Sequence, residues 1–118
     1  MITLIGKWTM LPGKEDQAIP LLQALASQVQ DNEPGTLVYK VFTPDFSSKS
    51  LPTPADGEVI FLEVYEDEAA YDKHIAGDAF QNFVKNHSDL FLVDFTGKLY
   101  FTLEMLQEKA GFIREAAI

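Results

Sequence analysis

A chain of 118 residues, 47% of them apolar, is long enough for one domain and can build a core without cross-links. Its net charge of −9, from 18 acidic and 9 basic residues, repels phosphate backbones and anionic lipids, so neither nucleic acid nor a membrane surface is an expected partner. With no cysteine, disulfides, thiolate nucleophiles and zinc–thiolate sites are excluded, and a reducing cytoplasm is the expected compartment.

The first segment, Ile2 to Met10, alternates. Ile2, Leu4, Trp8 and Met10 fall on one side and Thr3, Lys7 and Thr9 on the other, the pattern of a half-buried strand. No basic stretch leads into a long apolar run here, so no signal peptide is expected. Pro12-Gly13 turns the chain. From Asp16 to Gln30, Ala18, Leu22, Leu25 and Val29 recur at helical spacing. Pro20 is tolerable only in a first turn, so the helix is expected to start near Asp16.

Glu33-Pro34-Gly35 closes that helix. Leu37, Tyr39 and Val41 then alternate with Val38, Lys40 and Phe42 as a second strand. Residues 43–57, rich in proline and serine, read as a long loop. The run Val59 to Tyr65 is a third strand, apolar on both sides except at Glu63. Asp67 or Glu66 can cap a helix over 68–76. Gly77 breaks it, and Asp78 with Gln81 reads as a capping box opening a second helix to about His87, with Phe80, Phe83 and Val84 as its stripe.

A turn at Gly97 leads to a fourth strand, in which Leu99, Phe101, Leu103 and Met105 alternate with Tyr100, Thr102 and Glu104. Residues 1–106 thus form the domain, and 107–118 a C-terminal tail, expected as a short helix that docks on a partner subunit. The order strand, helix, strand, strand, broken helix, strand is that of an α+β, ferredoxin-like antiparallel four-stranded sheet with its first and third strands in the centre. Helices cover only one face of such a sheet. The other, expected to present Ile5, Val38, Phe42, Phe61, Tyr65 and Tyr100, calls for a second copy of the chain, a homodimer closing a barrel.

Three stretches carry a family resemblance. The run FLEVYEDEAAYDKHIAGDAFQNF, residues 61–83, presents Glu63, Tyr65, Asp67, Ala70-Tyr71, His74, Phe80 and Phe83 in an order that resembles the antibiotic biosynthesis monooxygenase family. EPGTLVYKVF (33–42) resembles that family's second strand with its Glu-Pro-Gly lead, and KWTMLPGKEDQ (7–17) its first strand and Pro-Gly-Lys turn. The resemblance implies a dimeric α+β barrel. In many members it also implies oxygenation of electron-rich phenols or quinols by molecular oxygen with no metal or flavin cofactor. Some relatives degrade haem. The chain departs from the family where a second histidine is common, here Ala79, and where a tryptophan often ends the third strand, here Tyr65. The haem-degrading branch resembles an Asn/Trp/His set, but Gly6 and Lys7 stand at the place of its asparagine and the only tryptophan is Trp8.

A protein assists oxygenation by deprotonating the substrate, holding it dry and placing donors near the developing peroxide. His74 is the candidate catalytic base, since an imidazole titrates near neutrality. Tyr71 shares its helix face. Tyr39 and Tyr65 are candidate donors to a substrate oxygen, and Trp8, Phe61, Phe80 and Phe83 candidate walls of an aromatic cavity. Glu63 is expected to pair with Lys7 or Lys40 across strands, and His87 to complement a helix end. His74 and His87 lack metal-ligand spacing. Three functions follow as expectations: cofactor-independent oxygenation of a small aromatic or quinol, non-catalytic binding of a small ligand as in a stress-associated barrel protein, and haem binding or degradation.

Overall fold

Alternation in the first residues becomes strand β1 (Ile2–Thr9) in the computed structural model, which describes residues 1–114. Helix α1 (Glu15–Asn32) follows and buries Ala18, Leu22, Leu25 and Val29, the stripe expected from their spacing. It starts at Glu15, one residue earlier than expected, and Pro20, its sixth residue, lies in the second turn, not the first. The helix accommodates this because both Pro20 and Asp16, whose carbonyl loses its donor, are exposed, and water can take the missing N–H's place.

Strands β2 (Thr36–Phe42) and β3 (Glu58–Tyr65) are joined by the long loop, in which Asp45 accepts the Ser47 N–H and hydroxyl. Gly57 ends the loop with φ +80°; a Cβ there would fall 2.5 Å from the Met10 carbonyl oxygen. Helices α2 (Glu68–Ala76) and α3 (Asp78–His87), a short 3-10 turn (Ser88–Leu90) and β4 (Phe101–Leu106) complete the order. The sheet runs β2-β3-β1-β4 with every pair antiparallel, an α+β ferredoxin-like topology with β1 and β3 central.

Register decides which side chains meet the helices. Gly6 pairs with Phe61 and Ile2 with Tyr65, so Phe61 and Tyr65 share the helix side with Leu4 and Trp8 and are buried there. This corrects the expectation that both lie on the open face. β3 is apolar on both sides, so alternation alone cannot assign its faces. The open face instead carries Ile5, Ile60, Leu62 and Val64, flanked by Val38 and Phe42 on β2 and Leu106 on β4. Tyr100 precedes β4 and is half exposed.

Between the 3-10 turn and β4 lies a small hairpin that the sequence reading reduced to one turn. Val93 bridges Leu99, Asp94 Oδ1 accepts the N–H groups of Thr96 and Lys98, and Gly97 adopts φ +85°. Leu99 is buried in this bridge, so β4 begins two residues later than the alternation suggested. Past Leu106 the chain is exposed, and residues 107–114 form no helix; positions 115–118 lie outside the described residues.

Candidate functional site

The break between α2 and α3 places the site. Asp67 caps α2, its Oδ1 accepting the Ala70 N–H at 2.9 Å, as the sequence suggests. The expected Asp78–Gln81 box does not form. Gly77 takes the cap position of α3, and the Gln81 side-chain amide donates back to the Ile75 carbonyl at 2.7 Å, tying the two helices across their break. His74, in the last turn of α2, then projects under the sheet and is only 2% exposed.

Two carboxylates flank its ring. Nδ1 lies 2.7 Å from Glu33 Oε1, and Nε2 stands 3.9 Å from Glu63 Oε1, beyond hydrogen-bond length. Glu63 Oε1 in turn accepts the Tyr65 hydroxyl. Glu33 Oε1 can accept a proton from Nδ1, and Nε2 is the nitrogen left towards Glu63, an arrangement in which one ring nitrogen is held by a partner so that the other can act. Tyr39, Tyr65 and Phe80 surround the imidazole at ring-centroid distances of 5.2, 5.6 and 5.6 Å.

Glu63 makes neither expected ion pair. Lys7 reaches Glu58 at 3.3 Å, and Lys40 sits opposite Leu62 on the other face of the sheet. Pairing with Leu4 and Tyr39 turns Glu63 inward, and it is 9% exposed. Burial pushes its pKa up; the Tyr65 hydrogen bond and the nearby His74 work against that rise, and the charge of Glu33 adds to it. The Tyr39 and Tyr65 phenols are raised well above their ordinary value, first by burial and then by the Glu63 charge. Tyr71 is raised by the same two causes in the same order. All three rings keep their protons near neutrality and can donate hydrogen bonds.

A cavity of about 930 Å³ opens between the sheet and helices α2 and α3. Trp8, Tyr39, Tyr71 and Phe80 line it together with Glu63 and His74. Phe61, Tyr65 and Phe83 do not reach it. They stand behind its wall, Phe61 against Trp8 at 4.4 Å, Phe83 against Trp8 at 5.6 Å and Tyr65 against Tyr71 at 5.3 Å. His87 lies in the last turn of α3, its ring 5.2 Å from that of Phe83.

Glu33 is the residue sequence reasoning used only as a helix stop. One signal was available: a carboxylate at the C-terminal end of a helix faces the negative pole of the dipole and needs a partner to be worth burying. Glu33 and Glu63 approach opposite nitrogens of one imidazole and do not converge on a point. Among the described residues no group of three or more histidine or acidic side chains could hold a metal ion. No described helix is long and apolar enough to cross a membrane.

Comparison with known proteins adds the following. A family model described as antibiotic biosynthesis monooxygenase matches residues 1–86. A crystal structure of an antibiotic biosynthesis monooxygenase superposes with a TM-score of 0.71 at 24% identity, over 93% of this chain and 100% of its own. A Caulobacter crescentus protein superposes with a TM-score of 0.74 at 21% identity, over 92% and 90% of the two chains. A Pseudomonas aeruginosa protein does so with a TM-score of 0.70 at 20% identity, over 92% and 94%. At such identities these likenesses show the fold. No match is found among curated protein sequences.

Proposed function

The chain belongs to the antibiotic biosynthesis monooxygenase family, and from that premise we propose that it is a cofactor-independent monooxygenase that oxidises a small electron-rich aromatic or quinol with molecular oxygen. The observation that carries this reading is the posture of His74, whose Nδ1 is held by Glu33 at 2.7 Å while the ring borders the aromatic cavity.

Oxygen is a triplet, and its direct reaction with a neutral organic molecule is slow. His74 Nε2 takes the proton of the substrate hydroxyl and leaves an anion rich enough to pass one electron to oxygen. Recombination forms a carbon–oxygen bond to a peroxide. Loss of the hydrogen on that carbon, with protonation of the distal oxygen, breaks the O–O bond, leaving a carbonyl and releasing water. Tyr39 and Tyr71 donate hydrogen bonds to the developing oxygen charges, and Trp8 and Phe80 hold the ring plane and exclude water.

We also propose that the chain works as a homodimer, each copy covering the other's open sheet face. Ile5, Ile60, Leu62 and Val64 lie together there with only partial cover, and burying them on two subunits at about 25 cal/mol per Å² supplies a driving force.

The test is oxygen uptake with a hydroquinone or an anthrone. His74→Asn, verified as folded by its thermal midpoint, is expected to lose about a hundredfold or more of the rate, the usual worth of a positioned base. A folded variant with undiminished rate would make His74 a structural residue. Stabilisation by the aromatic with no oxygen uptake would replace the enzyme with a ligand-binding protein.

A further inference from the structure

The Glu33–His74 contact has two sides. On one, His74 and Glu63 border the inner cavity. On the other, Glu33 borders a separate groove of about 350 Å³ on the outer surface, lined by Gln28, Asn32, Lys73, Gly77, Asp78 and Asn82. Glu33 is 6% exposed as a residue, and 7% of its side-chain surface meets solvent. The imidazole and the Glu33 carboxylate together thus stand between the inner cavity and the outer groove. Glu33 stands 41 residues from His74 in sequence and reaches it from the end of α1. A Cβ on Gly77 would sit 2.9 Å from the Lys73 carbonyl oxygen and 3.4 Å from Glu33 Oε2, so this wall of the groove has no room for a side chain.

Among the described residues, Glu33 alone is hydrogen-bonded to the imidazole. Glu63 is too far from Nε2 for a hydrogen bond and already accepts the Tyr65 hydroxyl. The Tyr39 phenol keeps its own proton. The route outward is short: Nδ1, Glu33 Oε1, groove.

We propose that Glu33 is a positioning and proton-accepting residue that connects His74 to solvent through the outer groove. The inference rests on the oxygenase reading for the source of the proton, but the connection itself exists without turnover. Nε2 gains the substrate proton, and the Nδ1 proton passes to the Glu33 carboxylate and leaves to groove water. After the peroxide forms, Nε2 returns its proton to the distal oxygen and Glu33 resupplies Nδ1 from the groove. One proton leaves and one returns, so the cycle balances. Lys73 and Asp78 flank the groove side of Glu33 and Glu63 lies across the imidazole, so these are the charges that bear on the transfer.

The test reads the solvent-exchange rate of the His74 Nδ1 proton by NMR on 15N-labelled protein. Glu33→Gln keeps an oxygen to receive the Nδ1–H but removes the group that accepts its proton. Exchange is expected to slow by roughly tenfold or more, as expected for removing a positioned base. Glu33→Asp, which keeps a carboxylate, should recover part of the loss, which a purely structural role would not require. In turnover, Glu33→Gln should lower kcat with little change in KM. Unchanged or faster exchange in a folded Glu33→Gln variant overturns the proposal. If that variant does not fold, Asn82→Trp blocks the exposed groove wall without touching the Glu33–His74 contact; slowed exchange supports the proposal and unchanged exchange overturns it. Slowed exchange in a protein that consumes no oxygen would retire the oxygenase reading and leave the proton route standing.

Discussion

Gly35 and Ala70 touch where α2 crosses the turn after α1. A Cβ on Gly35 would lie 2.7 Å from the Ala70 Cβ, closer than two such carbons approach in folded proteins. The Gly35 carbonyl also accepts the Glu66 N–H at 2.9 Å, which fixes the start of α2 against the same turn. Close packing here allows Glu33, two residues before Gly35, to reach His74, four residues after Ala70.

Gly35→Ala is therefore expected to push α2 off the turn at a cost of about 1–3 kcal/mol, the usual range for overpacking a tight contact. Thermal or denaturant unfolding measures the cost. The same substitution should lengthen the Glu33–His74 contact and lower any activity that depends on it. An unchanged midpoint would mean that the turn yields freely and does not hold the helix.

Glu63 gives a prediction in pH. Its pKa is raised in the folded chain, chiefly by burial, so the folded state binds this proton more tightly than the unfolded state. Below the ordinary carboxylate range the proton is bound in both states and the residue costs nothing. As pH rises through the folded value the charged form must be buried, and stability falls. Glu63→Gln removes that fall and can still accept the Tyr65 hydroxyl. Its thermal midpoint is expected to exceed the parent's at neutral pH, with the gap closing towards about pH 4. A gap that widens on acidification would contradict the sign.

On the open sheet face, Leu62 is half-buried and pairs with Ile5 in the centre of the sheet. Leu62→Glu places a charge at the middle of the proposed subunit contact while leaving the helix-side core untouched. Sedimentation is expected to show a dimer for the parent and a folded monomer for the variant. A parent that sediments as a monomer at micromolar concentration would remove the barrel.

The legible parts of this molecule are those governed by near neighbours in sequence. The α1 stripe, the β1 alternation and the Asp67 cap all follow from periods of a few residues, and they appear where the spacing puts them. The family motifs carried the fold. What failed was parity. β3 is apolar on both sides, and the irregular register between Thr36 and Val38 in β2 removes another reference, so Phe61 and Tyr65 could be assigned to the wrong face. Glu63 went wrong for the same reason, since its inward turn depends on a register that only the assembled sheet supplies. Glu33 could not be placed because its partner arrives from a helix on the far side of two strands. Among the candidate site residues, Trp8, Tyr39, Tyr71, His74 and Phe80 converge on the cavity, whereas Phe61, Tyr65 and Phe83 support them from behind.

Trp8 sits where four phenylalanine rings, Phe61, Phe80, Phe83 and Phe91, crowd one indole at 4.4 to 6.5 Å, and it borders the chamber directly. As the chain's single tryptophan, it makes the protein's near-ultraviolet emission the report of one address. A quinone or other aromatic guest in the chamber would lie within quenching range of that indole, so the molecule carries its own optical gauge of occupancy, readable without label or turnover.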